Sequence, residues 1–178
     1  MLNQENEIVI SKASEWFGAN RMRLNKDKTV SLLFTLNESQ ELATKSRTDT
    51  KFLGIYIDSR LSWSTQIEYL KAKLAKANYL IRNLRDCIPS PYVRGLYFSF
   101  YESIIRYGLV LWGGSSRVKE NFILQKQVIR IISRSHFTAS CRALFVDLRI
   151  LTIYNLYILD LLILVHNTSE SDFDIFLF

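Results

Sequence analysis

Nowhere in this 178-residue sequence do two aspartates stand side by side. A two-metal phosphoryl-transfer centre needs carboxylates that hold two ions about 3.5–4 Å apart, clamping the attacking and leaving oxygens. Consecutive aspartates cannot supply that clamp here. Histidine is scarce as well: there are two, His136 and His166, and neither lies in a signature that pairs it with a serine or cysteine nucleophile. The two cysteines, Cys87 and Cys141, form no CxxC pair, which fits reduced thiols rather than a thiolate metal site. With six glycines and two prolines, the chain has no low-complexity tract and no repeat of fixed period.

Two further absences bear on location. The opening residues Met-Leu-Asn-Gln-Glu-Asn-Glu lack the basic region and apolar core of a secretory signal. The apolar run from Ile150 to Val165 is shorter than the roughly 20 residues a membrane span needs, and Asn155 and Asp160 interrupt it. The expectation is an intracellular protein without a membrane partner, in which this run is a buried helix.

What the chain does have is apolar mass: 48% hydrophobic and 13% aromatic residues, too much to leave facing water in an open chain. A net charge of +6 suits an acidic polymer as partner, since Lys and Arg that neutralise phosphates release condensed counterions.

Periodicity sets out the elements. Residues 3–17 read as a helix with Ile8, Ala13, Trp16 and Phe17 inward. Residues 29–36 and 50–57 are rich in β-branched and aromatic side chains and read as two antiparallel strands joined by a long polar loop, residues 37–49. From Ser64 to Asp86, Ile67, Leu70, Leu74, Ala77, Ile81 and Leu84 recur in three- and four-residue steps that lay one apolar stripe along a helix. Lys71, Arg82 and Arg85 flank one side of the stripe, and Lys73 and Lys76 lie beyond the other.

Pro89 and Pro91 break the pattern. A second helix should run to about Arg106 with Val93, Leu96, Tyr97, Phe100, Ile104 and Tyr107 inward, ending at Gly108, Gly113 and Gly114. A third, residues 118–133, carries Val118, Phe122, Gln125, Ile129 and Ile132 on one face, with Lys119, Lys126, Arg130 and Arg134 beside it. The tail, residues 168–178, alternates acids with aromatics.

The catalytic inventory read from the residues alone is thin. Asp27, Asp49 and Asp58 lie near the expected strands, but nothing in their spacing forces them together. Three ordered segments are more specific. The first is Trp16-Phe17 followed by Asn20 and Leu24-Asn25-Lys26-Asp27-Lys28-Thr29. The second is Lys51-Phe52-Leu53-Gly54-Ile55-Tyr56-Ile57-Asp58 with Leu61-Ser62-Trp63. The third is Tyr107-Gly108 with Trp112-Gly113, followed by Leu124-Gln125-Lys126-Gln127-Val128-Ile129-Arg130. Together they resemble the later part of a LINE-like (non-LTR), jockey-like retrotransposon reverse transcriptase, its C-terminal palm and thumb. Two positions depart from the pattern: Gln66 stands where the family has His, and Gln127 replaces a usual cation.

The resemblance implies an α+β, mostly α fold: a β-hairpin remnant of a polymerase palm (residues 1–62), a helical thumb-like bundle (63–167) and a tail (168–178). It implies Lys28 as the general acid that protonates departing pyrophosphate in an intact parent enzyme supplied with Mg²⁺. Without the paired aspartates this chain is expected to be catalytically silent alone, with no cofactor and no metal ligands of its own. Lys71, Lys73, Lys76, Lys126, Arg130 and Arg134 are then the expected contacts to an RNA or DNA template-primer, made without reading bases. Trp16, Asn25, Phe52, Gly54, Trp63, Gly108 and Trp112 mark the motifs, and the family implies a nuclear or cytoplasmic setting. On this reading the chain is a truncated fragment. Two alternatives stand beside it: an interaction module docking on a separate palm-containing chain, and a decayed remnant without function.

Overall fold

The computed structural model describes residues 2–34 and 49–168. It is mostly helical with one two-stranded antiparallel sheet. The elements are α1 (Leu2–Ala19), a 3-10 turn (Lys26–Lys28), β1 (Asp49–Phe52), β2 (Ile55–Asp58), α2 (Ser64–Leu84), α3 (Ser90–Leu96), a π-helical stretch (Tyr97–Glu102), α4 (Ser103–Arg106), α5 (Leu109–Trp112), α6 (Val118–Ile132), α7 (Cys141–Asp147) and α8 (Ile153–Asn167).

The strands lie closer together than their pattern suggested. Residues 29–34 carry no strand, and residues 35–48, which hold the rest of that expected strand and most of its loop, fall outside the described residues. The segment read as one strand is itself a hairpin, with Asp49 opposite Asp58 and Phe52 opposite Ile55. The reason is Leu53-Gly54. Both have positive φ, 46° and 85°, as a two-residue type I′ turn requires, and Gly tolerates that region without Cβ strain.

The corner after β2 is built by one carboxylate. Asp58 accepts backbone N–H groups from Ser62 (2.8 Å), Trp63 (2.6 Å) and Arg60 (3.2 Å), which bends the chain into α2 and seats Trp63 against the core. The Asp-x-x-Leu-x-Trp spacing therefore has a local structural job. Gln66, almost wholly buried, accepts the Tyr56 N–H at 3.0 Å and ties β2 to α2.

The α2 stripe is buried as its spacing predicts, from Ile67 through Ile81, and it packs chiefly on α6. Cross-links rise in number together along both helices: Lys71 to Glu120, Asn78 to the Leu124 carbonyl, Arg85 to the Ile131 carbonyl. The two helices thus run parallel.

Between them the chain departs from an ordinary helix. Val93, Tyr97, Tyr101 and Ile105 are buried, a run of strict four-residue steps. In an α-helix such a row drifts around the axis by about 40° per step; the wider π turn absorbs the drift. The 3.6-residue expectation of Phe100 and Tyr107 inward is therefore corrected: both are exposed, while Tyr101 and Ile105 are buried. Tyr97 and Tyr101 stack at 5.4 Å, and burial pushes both hydroxyls well above the usual tyrosine range.

Two other expectations change. In α1, Ile8 and Trp16 are exposed, whereas Ala13 and Phe17 are half-buried. The apolar run is indeed a helix, α8, but burial is confined to Ile153 and Leu156 at its start, and Leu162, Ile163, Leu164 and Val165 are exposed. Past Asp160, which Arg106 holds at 2.5 Å, little of the described chain covers it. Among the described residues no helix is long and apolar enough to cross a membrane.

Gly108 closes this part of the fold. Its φ of 66° is left-handed, and a Cβ there would meet the Ile55 side chain. Gly108→Ala should lower the unfolding free energy by about 2 kcal/mol through backbone strain and displacement of Ile55; the midpoint of urea denaturation measures it. Trp112, fully buried, donates its indole N–H to the Tyr107 carbonyl at 3.2 Å.

Candidate nucleic-acid interface

The Leu-Asn-x-x-Lys-Thr element forms a closed local turn. The Lys28 backbone N–H donates to the Asn25 side-chain oxygen (3.2 Å), and the Thr29 hydroxyl donates to the Asn25 carbonyl (2.9 Å). The Lys28 side chain is exposed, as is Trp16. Asp27 is exposed, and Asp58 is occupied at the corner described above. Among the described residues no group of three or more His, Cys, Asp or Glu is arranged to hold a metal ion.

The six expected phosphate contacts are dispersed over several places. Lys71 turns into the seam between α2 and α6, where it joins Glu120 (3.0 Å) and Glu68 (3.7 Å). Arg117 completes the group by binding Glu120 at 2.8 Å and contacting Glu68. Hydrogen bonds from Arg117 and Lys71 hold the Glu120 carboxyl down to about 2. A carboxylate depressed in the folded state contributes stability that is present above its unfolded value near 4.5 and is lost as pH falls through about 2. Glu120→Gln should therefore flatten the decline of thermal stability across that acid window, while leaving the slope above pH 5 unchanged; a melting series against pH checks it.

Lys73 lies elsewhere, with its ammonium 4.6 Å from the Tyr69 ring centre, and Lys51 reaches the same ring from β1 at 4.8 Å. Hydrogen bonding to Lys73 lowers the Tyr69 hydroxyl pKa, with Lys51 adding to the effect. This cluster involves Tyr69, which sequence reasoning did not single out, and Lys51, which it quoted as the start of a motif but not among the phosphate contacts. Only the Tyr69–Lys73 spacing of four on a helix hinted at it. Lys76 is exposed, and among the described residues it has no ion-pair partner. Lys126 lies over the Phe122 ring at 4.6 Å.

Arg130 and Arg134 find different company. Because α2 and α6 run parallel, their C-terminal ends coincide, and Arg82 and Arg85 meet Arg130 and Arg134 there. Arg82, Arg85 and Arg130 line a cleft of about 270 Å³ together with Gln127, Ser135 and the exposed ring of Phe137. None of the lining residues is acidic. Asp86 stands nearby, 3.2 Å from Arg134 and 3.5 Å from Arg85.

Part of three of these guanidiniums is engaged on backbone oxygens: Arg85 on Ile131 (2.8 Å), Arg130 on Ala139 (2.9 Å) and Arg134 on Arg85 (3.2 Å). Cations at helix C-termini satisfy the last carbonyls and oppose the dipole. Each guanidinium has five N–H donors in a fixed fork, so these bonds orient the groups and leave donors for a planar or tetrahedral anion. His136, whose ring lies 4.4 Å from Phe137, adds a second aromatic surface. Guanidinium donors beside exposed rings are the parts a single nucleic-acid strand uses, the former on phosphates and the latter under bases.

No family model matches this chain, and no solved structure matches it. Among curated proteins it is similar to a probable RNA-directed DNA polymerase from transposon X-element of Drosophila melanogaster, with 24% identity over 155 residues. That match covers 80% of this chain and 17% of the relative, so the chain spans about a sixth of the length of the protein it resembles.

Proposed function

We propose that this chain is a reverse-transcriptase-derived segment, without polymerase chemistry of its own, that holds RNA or DNA by its backbone. The observation that carries the reading is the cleft where Arg82, Arg85 and Arg130 converge beside Phe137 with no acidic lining residue. The distant similarity to a transposon RNA-directed DNA polymerase supports the lineage. Lys51 and Lys73 around Tyr69 offer a second, smaller basic and aromatic surface. Lys28, exposed on its turn, has no assembled metal partner among the described residues, and it regains a proton-donating role in a chain that supplies the paired carboxylates and Mg²⁺.

Fluorescence anisotropy of a labelled primed RNA template, titrated between about 50 and 200 mM salt, tests the binding. With three backbone contacts the slope of log affinity against log salt should be roughly −2 to −3. Salt-insensitive binding, or no binding at the low end, would sink it. Mg²⁺ and nucleotides added to the same complex should yield no extended primer; robust extension overturns the non-catalytic half of the reading.

A second reading is docking on a separate palm-bearing chain. The observation favouring it is the hairpin, whose turn exposes Phe52 and Leu53 and whose β1 has no second strand beside it among the described residues.

A further inference from the structure

A cavity larger than the arginine cleft, with a volume of about 700 Å³, lies where α6, α7 and α8 meet, and the two share no lining residue. Three cations line it, Lys126, Arg142 and Arg149, and no acidic residue does. Among the described residues no side chain pairs with the Arg142 or Arg149 guanidinium. The rest of the wall is mainly apolar, from Phe122 and Phe145 to Val146 and Leu151. Apolar walls with a few convergent charged groups, at a volume of this order, are the makings of a small-molecule site, and the charge selects an anion.

Arg149 reaches the cavity from a backbone position that its side chain disfavours. Helix α7 ends with the Ile150 N–H donating to the Phe145 carbonyl (3.0 Å) and the Arg149 N–H donating to the Val146 carbonyl (2.9 Å). That pair of bonds is a Schellman end, whose left-handed residue is usually glycine. Arg149 takes the position with φ 50°, where a Cβ crowds the carbonyl that follows it. Arg94 pins the strained turn by binding the carbonyls of Leu148 (2.6 Å) and Arg149 (3.2 Å). A cation held where the backbone favours glycine points to a use for its side chain rather than for the fold.

The rings decide which apolar body fits. Phe145, nearly buried, stacks on Phe122 at 6.2 Å, Tyr154 meets Phe122 edge-on at 5.1 Å, and the Lys126 ammonium lies over it at 4.6 Å. Little ring face is left for a flat ligand to stack on. Val146 and Leu151 are exposed and offer aliphatic surface that a flexible chain can follow.

We propose that this cavity binds a free long-chain anion: an unbranched alkyl chain with a carboxylate or phosphate head. The head sits on Arg142 and Arg149, whose planar forks match either oxyanion, with Lys126 adding a third charge. The chain lies against Val146, Leu151 and the Phe122–Phe145 pair. The proposal does not rest on nucleic-acid binding at the arginine cleft.

Isothermal titration calorimetry of the full chain with decanoate, kept below its micelle concentration, tests it. Binding should saturate at one equivalent. Each buried methylene strengthens binding about fourfold, so hexanoate should bind roughly 200-fold more weakly. Decanol, which lacks the charge, should bind at least about tenfold more weakly. A parallel titration with decyl phosphate distinguishes the two heads, the tighter binder being the one the site is built for. Arg149→Gly should weaken decanoate at least about tenfold while leaving the melting temperature unchanged or higher, since glycine accepts the left-handed turn without strain. Arg82→Gln, in the other cleft, should leave decanoate affinity as it is. Four results would each overturn the proposal: no decanoate binding at millimolar concentration, decanol binding as tightly as decanoate, Arg149→Gly leaving affinity unchanged, or Arg82→Gln weakening it as much as Arg149→Gly does.

Discussion

Gln125→Met should lower the free energy of unfolding by about 4 kcal/mol, a large part of the stability of a domain this size. Gln125 is fully buried near the middle of α6, and its amide links three elements. Its nitrogen donates to the Tyr97 hydroxyl (2.7 Å) and to the Leu151 carbonyl (2.9 Å), and its oxygen accepts the Ile153 N–H (2.8 Å). Met keeps the length and volume but none of the bonds. A buried polar group left without a partner costs about 1–3 kcal/mol, and three are orphaned at once, two of them on the backbone that starts α8. Chemical denaturation of the variant measures the loss. The double variant with Tyr97→Phe separates the cause, because removing the stranded hydroxyl should recover about 1 kcal/mol. Equal losses in single and double variants would point to packing instead.

If the cleft holds nucleic acid as proposed, Arg82→Gln combined with Arg130→Gln should reduce affinity for a primed RNA template roughly 25- to 60-fold at 0.1 M salt. The magnitude follows from counterion release: each phosphate contact changes the logarithm of the binding constant by about 0.7–0.9 per decade of salt, so each is worth about five- to eightfold at that concentration. The salt slope should become shallower by about 1.4–1.8. Arg82 is exposed, and Arg130 contributes one backbone bond to Ala139, so folding stability should fall by only about 1 kcal/mol. Lys119→Gln is the control, an exposed cation at the opposite end of the same helix. If it weakened binding as much as the double variant, the charge of the molecule rather than the cleft would be responsible.

How far the sequence foretold these arrangements depended on whether one residue spacing admitted one geometry. The α2 stripe did: its three- and four-residue steps fit a regular helix, and every residue from Ile67 to Ile81 on it is buried. From Val93 to Ile105 the same apolar residues serve two periods, and the choice of π over α turns moved the buried face by one position at Tyr101 and Ile105. The hairpin was hidden because its two strands and turn together read as one β-rich run, and only the positive φ of Leu53 and Gly54 divides it. The basic residues were legible as chemistry but not as a group. Arg82 and Arg85 were visible beside their stripe, yet their meeting with Arg130 depends on parallel packing of helices far apart in the chain, which no local pattern encodes. Lys71 was legible as a cation, whereas its engagement with Glu120 required the same tertiary information. Gln125 was placed on the inward face, but its three partners come from elements that only the fold brings together.

That parallel packing has a kinetic side. The bonds joining α2 to α6 link residues 46 to 49 positions apart, and the intervening chain must traverse the whole bundle to return in the same direction. Contacts of such sequence separation form only after the loop entropy between them has been met. The hairpin and the first turns of α2 can assemble early, whereas the arginine cleft exists only once the last long-range pairing is complete. An anion bound across it senses the native state as a whole, and by mass action holds both helices and everything between them together.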